Sequence, residues 1–238
     1  MKSFAVAALL LLLMAAVLFW GGWRQYQQFL DTPLTIPEDG AVFVLPAGAS
    51  GSDIVARLAA SGFSQPGWRW KLLMRLEPGL YQAGEYRIEA GVKPRDILRQ
   101  LASGAVLQYR FTVVEGWTFR QMLSALHRHK NIDKKLADLG DGEITQTLSL
   151  PNKHPEGQFL PDTYLFPEGT TDIQFLSRAS RAIYRYLDAE WEKRDENLPL
   201  KTPYEALILA SIVEKETGVA SERPAIAGVF TRRLRKGM

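Results

Sequence analysis

The sequence predicts an α+β protein with an N-terminal transmembrane helix, a strand-turn-helix repeat module and then a mixed α/β domain. Three observations carry that prediction. Ala5 to Trp20 is unbroken apolar sequence. A short strand, a glycine and a short helix recur with the same offsets around Gly48, Gly91 and Gly116. After residue 150, prolines punctuate the chain and long helical periodicities follow.

Length sets the first element. No charge occurs from Phe4 to Trp23, and twenty helical residues rise about 30 Å, the thickness of a bilayer's hydrocarbon core. A cleaved signal peptide is the alternative; its apolar run is typically about 7–15 residues and ends at a small-x-small site. Here the run ends in Phe19-Trp20-Gly21-Gly22-Trp23-Arg24, which suits an interfacial belt. Residues 1–23 are therefore expected to be a permanent anchor. Lys2 and the amino terminus barely outweigh Arg24, so orientation rests on the short N-terminal tail and the single apolar span. Both favour an internal amino terminus with everything after Arg24 exported.

The chain contains no cysteine, which excludes disulfide staples and thiolate metal sites. Its net charge of +3 is scattered, apart from Arg232, Arg233, Arg235 and Lys236. No nucleic-acid partner is expected for an exported domain of this kind.

Residues 24–40 are largely polar, contain Pro33 and Pro37, and read as a tether. The repeat region, 41–130, follows. Phe43-VLPAG-ASGSD-Ile54-VAR-Leu58 aligns without a gap on Tyr86-RIEAG-VKPRD-Ile97-LRQ-Leu101 and on Phe111-TVVEG-WTFRQ-Met122-LSA-Leu126. Alternation such as Phe43/Leu45 or Tyr86/Ile88 suits a half-buried strand. The glycine permits a positive-φ turn, and the i, i+4 apolar pairs mark short helices, two ending at Gly62 and Gly104. No copy is long enough to bury a core alone. All three are expected to pack together with a helix over residues 68–76.

Residues 131–150 read as a linking helix and loop. The second domain, 151–238, is announced by Pro151, Pro155, Pro161 and Pro167. Residues 172–194 predict a helix with Phe175, Leu176, Ala179, Ile183, Tyr186 and Leu187 on one side. Thr202 as N-cap, Pro203 at the first helical position and Glu205 at capping-box spacing start another helix, which should end near Gly218. Ala206 to Val213 is apolar all round except Ser211, so most of it is expected to be buried.

That helix delivers two carboxylates, Glu214 and Glu216, into its last turn, where they oppose the helix dipole. Glu216 continues the Leu209/Ile212/Val213 stripe, whereas Glu214 follows Leu207, Ala210 and Ser211. A carboxyl beside apolar walls has its charged form disfavoured, as a general acid at neutral pH requires. Spacing favours Glu216 but leaves Glu214 open, and both would equally decorate a helix end. Glu156, Asp162 and Tyr164 lie in the proline-rich segment EGQFLPDTYLFP and would either line a groove or stabilise turns. Glu222 and Arg223 would pair with each other or touch a ligand. His127 and His129 point apart on a helix, and no cofactor or metal is expected.

SIVEKETGVASERPAIAGVFTRRLRKGM, residues 211–238, and EGQFLPDTYLFP, residues 156–167, resemble the two characteristic segments of the endolytic murein transglycosylase (YceG-like) family. With the anchor and the repeats, the resemblance covers essentially the whole chain. It implies that the repeat region is LysM-like and binds or positions glycan, or else serves only to hold the catalytic domain. Trp68, Trp70 and Trp117 would then stack on sugars or fill core. It also implies a lytic transglycosylase acting on peptidoglycan at the inner membrane, with peptidoglycan synthases as partners. Within it, the second Glu of Glu-Lys-Glu-Thr is catalytic, which falls on Glu216. Glu156, Asp162, Tyr164, Glu214 and Glu222 are the candidates for substrate contact beside it. Members of the family continue past the position of Met238, so the chain is expected to be a truncated form with an incomplete catalytic domain. The competing reading is a non-catalytic, membrane-tethered protein that binds the cell wall through its repeats.

Overall fold

The computed structural model describes residues 2–238, with side chains from Leu9 onward; the Lys2 side chain used in the orientation argument lies outside the described ones. The architecture is mixed α/β, in two compact units that divide between Gln108 and Tyr109.

The first unit contains α1 (Lys2–Asp31), β1 (Ala41–Leu45), α2 (Gly51–Ala60), α3 (Trp68–Leu76), β2 (Gly84–Ile88) and α4 (Pro94–Ser103). Among the described residues, α1 is the one helix long and apolar enough to cross a membrane, over Leu9–Asp31. Its side chains from Leu9 to Trp20 are exposed, compatible with a single-pass anchor. The helix does not stop at the aromatic belt. Tyr26, Leu30 and Leu34 recur every four residues and are buried with Phe43, Ile54, Trp70, Tyr86 and Ile97. Residues 24–40, expected as a tether, are therefore helix to Asp31 and part of the first core. One apolar stripe outweighs the polar residues between its members.

The first two repeats satisfy each other. β1 and β2 pair antiparallel in the register Ala41↔Ile88, Phe43↔Tyr86 and Leu45↔Gly84, and Phe43, Leu45, Tyr86 and Ile88 share the buried face. Ile54/Leu58 on α2 and Ile97/Leu101 on α4 close the core without measurable exposure. All three repeat glycines take the left-handed conformation expected of them, with φ of 75°, 86° and 76° at Gly48, Gly91 and Gly116.

The second unit contains β3 (Gln108–Thr112), α5 (Phe119–Arg128), β4 (Ile132–Asp133), α6 (Asp141–Thr147), β5 (Thr163–Pro167), β6 (Thr170–Thr171), α7 (Asp172–Glu192), α8 (Pro203–Glu216) and α9 (Arg223–Arg235). The third repeat, β3 to α5, keeps the local form of the other two, but its Val113, Met122 and Leu126 belong to the core of the second unit. β1 and β2 already complete each other, so β3 pairs instead with the downstream strand β5. Val113 N donates to Asp162 O at 2.9 Å, and the Thr112 and Thr163 hydroxyls meet at 2.8 Å. The second unit therefore begins well before Leu150. Ile132, Leu136 and Ile144, placed in a linker by the sequence, are buried members of its core.

α7 buries Phe175, Leu176, Ala179, Ile183 and Leu187, while Tyr186, expected on that face, is exposed near the end of the helix. At α8, Thr202 Oγ1 accepts from Glu205 N at 3.2 Å. The Glu205 carboxylate takes Lys201 N instead of the N-cap amide, so the capping box is half made. The larger correction concerns burial. Of Ala206–Val213 only Val213 is buried, and Ile208 and Ile212 are exposed. α8 packs on α7 and α9, and its remaining apolar surface stays open.

Candidate active site

α8 carries Glu214 and Glu216 in its last turn, Thr217 caps it, and a turn at Ala220–Glu222 leads into α9. Four polar side chains here hold the turn together. Arg223 Nη2 lies 2.9 Å from the Glu214 carboxylate, with both side chains roughly half exposed. Buried Thr217 donates through Oγ1 to Glu222 at 2.8 Å and accepts from Val219 N at 3.0 Å. Glu222 therefore secures the helix end rather than pairing with Arg223. Glu216 differs: it is exposed, and its side chain makes no hydrogen bond or ion pair among the described residues.

The apolar walls expected around Glu216 are not closed over it. Glu205, Ile208, Leu209 and Ile212 of α8 and Phe230, Arg233 and Leu234 of α9 line an open groove of about 440 Å³. Glu216 follows Ile212 by one helical turn on the same row but does not itself line the groove. Its carboxyl stands in solvent because α8 is covered on only part of its circumference.

The proline-rich segment does not supply further groups beside Glu216. Glu156 accepts from Phe119 N at 3.0 Å, the first free amide of α5, and so caps that helix. Asp162 Oδ1 accepts from Thr163 N at 2.6 Å, the turn role open to an aspartate after proline. Tyr164 is core, at 7% exposure. Its hydroxyl donates to Leu160 O at 2.8 Å, its ring meets Phe175 at 5.2 Å, and the Arg178 guanidinium lies 5.4 Å from its centre. Burial pushes its phenol up to about 12. These three residues fix α5 and β5; none is placed with Glu216 by any contact.

Of the tryptophans, Trp70 is core, whereas Trp68 and Trp117 are exposed. Trp117 lines a cleft along α5 with Arg120, Gln121, Ser124 and Arg128, about 390 Å³ in volume.

Sequence reasoning missed the most fully satisfied ionisable group. Asp172, the first residue of α7, has 0% exposure. One carboxylate oxygen accepts from Lys135 N at 3.0 Å and Ile173 N at 2.8 Å. The other accepts from Leu136 N at 2.9 Å and faces His127 Nε2 at 2.8 Å. Against an acceptor-only carboxylate, Nε2 is the protonated ring nitrogen. The only local signal was an acid at a helix start after Thr171, because Asp172's other donors lie far back in the chain.

A model of the YceG-like family matches residues 43–238. The endolytic murein transglycosylase of Streptococcus pneumoniae is 27% identical over 270 residues, covering all of this chain and 48% of the relative. That of Bacillus subtilis is 27% identical over 239 residues, covering 92% of this chain and 66% of the relative. The chain thus spans about half to two thirds of the length of these relatives. A crystal structure of a YceG-like protein from Listeria monocytogenes aligns with 85% of this chain and 72% of its own, at 22% identity and a TM-score of 0.40. Since the family match runs from the first repeat strand through α9 and takes in the Glu-Lys-Glu-Thr turn, the chain belongs to the YceG-like family.

Proposed function

We propose that the chain is the membrane-anchored part of a lytic transglycosylase that cleaves peptidoglycan between N-acetylmuramic acid and N-acetylglucosamine. The observation that carries this reading is the family match across residues 43–238, joined to the state of the α8 turn. Glu214 and Glu222 are engaged there by Arg223 and Thr217, which leaves Glu216 as the uncommitted carboxyl. Most glycosidases need two carboxyl groups, one acting as acid and one as base or nucleophile. Transglycosylation needs one, because no water is activated. Glu216 in its acid form protonates the glycosidic oxygen as the bond to muramic C1 breaks. The resulting carboxylate takes the proton of the muramic C6 hydroxyl while O6 bonds to C1. The products are a 1,6-anhydromuramoyl end and a free N-acetylglucosamine hydroxyl, and the acid is regenerated. Because Glu216 stands in solvent, bound glycan is what would enclose its carboxyl during the reaction.

In this reading α1 is a single-pass anchor of the inner membrane, with its amino terminus cytoplasmic and both units outside the cytoplasm. Glycan strands are the substrate, and peptidoglycan synthases are fitting partners. A LysM-like glycan contact would use the Trp117 cleft, where an exposed indole lies beside amide, hydroxyl and guanidinium groups. The test is digestion of purified glycan strands by wild type and Glu216→Gln, with mass spectrometry of the ends. Anhydromuramoyl ends from wild type and few from the variant are expected. Equal product from both overturns the assignment of Glu216, and reducing ends would instead indicate hydrolysis. The exposure of Glu216 favours one competing reading, a non-catalytic tethered wall binder, which predicts no product from either protein.

A further inference from the structure

The two-stranded sheet of the first unit has two edges in unlike states. The outer edge of β2 is covered: Glu85 O accepts from Leu107 N at 2.6 Å, and Arg87 O from Gln100 Nε2 at 2.9 Å. Both carbonyls therefore face away from β1. In an antiparallel pair, the two residues of a non-hydrogen-bonded position turn their peptides outward together. Glu85 lies opposite Val44 and Arg87 opposite Val42, so the N–H and C=O groups of Val42 and Val44 face away from β2. Among the described residues no other group bonds to them on that side. Their side chains are open as well, 50% exposed at Val42 and 48% at Val44, whereas Phe43 and Leu45 are core.

Edges of this kind are ordinarily blunted by a lysine, a proline or a bulge. β1 has the sequence AVFVL and an unbroken register with β2, so it carries none of these. Unpaired peptides in a row call for an extended segment rather than a helix, and a second β1 supplies one. The flanking residues restrict how it can lie. With Val42 of one copy opposite Val44 of the other, Phe43 falls on the two-fold axis and all four outward groups of each strand are bonded. Each exposed valine then meets a valine, a favourable β-branched pair. The two neighbouring antiparallel registers fail. One brings in Pro46, which has no N–H, and the other Gly40, whose N–H already goes to Pro37 O at 2.9 Å. Charge agrees with this choice. The strand is uncharged, and the antiparallel arrangement sets Glu38 and Asp39 of one copy beside Ala47 and Gly48 of the other. Parallel pairing would place like charges together.

We propose that the outer edge of β1 is a docking surface for a second copy of this chain. Two first units join β1 to β1 antiparallel, Val42 opposite Val44, into one four-stranded sheet in the order β2-β1-β1-β2. The assembly carries two α1 helices and two copies of the Glu216 turn. It depends neither on the reading of α1 as an anchor nor on the transglycosylase activity.

The chain has no cysteine, so introduced thiols report the register directly. Two differently tagged forms of the full chain, Val42→Cys and Val44→Cys, are mixed in detergent micelles, oxidised mildly and run on a denaturing gel. Positions 42 and 44 of opposite copies would lie about 5.5 Å apart at Cα, within disulfide reach. Positions 42 and 42, or 44 and 44, would be diagonal at roughly 7–8 Å. The mixture should therefore give about tenfold more cross-linked dimer than either form alone. Equal yields from the single forms would show a parallel or shifted pairing, and no cross-link in the mixture would show that a second copy does not take this edge. Either result overturns the proposal. Sedimentation of cysteine-free protein gives a second reading. Val44→Pro removes an outward N–H and no bond to β2, so its melting temperature should hold while the dimer dissociation constant rises about tenfold or more. Val42→Lys/Val44→Lys leaves the backbone untouched and should separate the copies by setting like charges opposite each other. Val42→Thr/Val44→Thr keeps the branched side chains and should leave the dimer in place. A dimer that survives both the proline and the lysines is held by another surface, and the edge proposal falls.

Discussion

Asp172 and Glu216 are carboxylates of one unit in opposite circumstances. Asp172 opens α7, fully buried, with every accepting position filled by a backbone amide or by His127. Glu216 closes α8, exposed and without a partner among the described residues. A helix N-terminus favours an acid and a C-terminus opposes one, so the first placement stabilises the fold and the second does not. The difference separates carboxylates committed to structure from one left available for a proton-transfer role.

The sharpest way to break that contrast is to remove each charge with little change of shape. Glu216→Gln should lower anhydromuramoyl product by about 10²- to 10⁴-fold, the usual contribution of a general acid and base. Its thermal unfolding should match wild type, because no partner is lost. A clear drop in melting temperature would mean that Glu216 also does structural work. Asp172→Asn should behave in the reverse way. An amide cannot accept from all of these donors, and unpaired buried groups cost about 1–3 kcal/mol each. A loss of about 3 kcal/mol is expected, read from urea unfolding and from faster hydrogen exchange at the Leu136 and Ile173 amides. A change below about 1 kcal/mol would contradict the hub role.

A smaller effect sharpens the same contrast on the proline-rich side. Tyr164→Phe removes the donor to Leu160 O and should cost about 1 kcal/mol near neutral pH. Its pH dependence carries a sign. Burial raises the phenol from its ordinary 10.0 to about 12, so the folded state holds that proton more tightly than the unfolded chain. The associated stability is complete below about pH 10 and is lost as pH climbs toward 12. Phenylalanine has no such proton, so the difference between variant and wild type should shrink across that window. A constant difference would show that Tyr164 ionises as freely in the fold as outside it.

Much of the local structure was legible because its causes are local. The offsets around Gly48, Gly91 and Gly116 announced three positive-φ turns, and Thr202-Pro203 announced the start of α8. What failed to show was pairing between distant segments. Nothing in Phe111–Leu126 distinguishes a repeat that joins its siblings from one whose strand pairs with Thr163–Pro167. Tyr26, Leu30 and Leu34 were hidden among polar residues. Asp172's role depends on amides at Lys135 and Leu136. The oily character of Ala206–Val213 was read correctly, but burial needs a partner surface, and composition does not say which sides receive one. The row on the helix favoured Glu216 without excluding Glu214, and the family resemblance chose between them, whereas the exposure of Glu216 follows from how much of α8 its neighbours cover.

The smallest expected effect tests the choice between the two glutamates of the α8 turn. Glu214 pairs with Arg223 at 2.9 Å, but both groups are about half exposed, and exposed pairs contribute about 0–1 kcal/mol. Glu214→Gln should therefore change stability by no more than about 0.5 kcal/mol. Its effect on product should be a few-fold, through loosening of the turn that presents Glu216. Arg223→Gln should give the same small loss, and the double variant little more, since either change already breaks the pair. The decisive comparison is between Glu214→Gln and Glu216→Gln on one glycan preparation. If position 214 loses product as severely as position 216 while stability stays level, a single uncommitted carboxyl is not enough. The turn would then hold two interacting acids, with the guanidinium of Arg223 adjusting one of them.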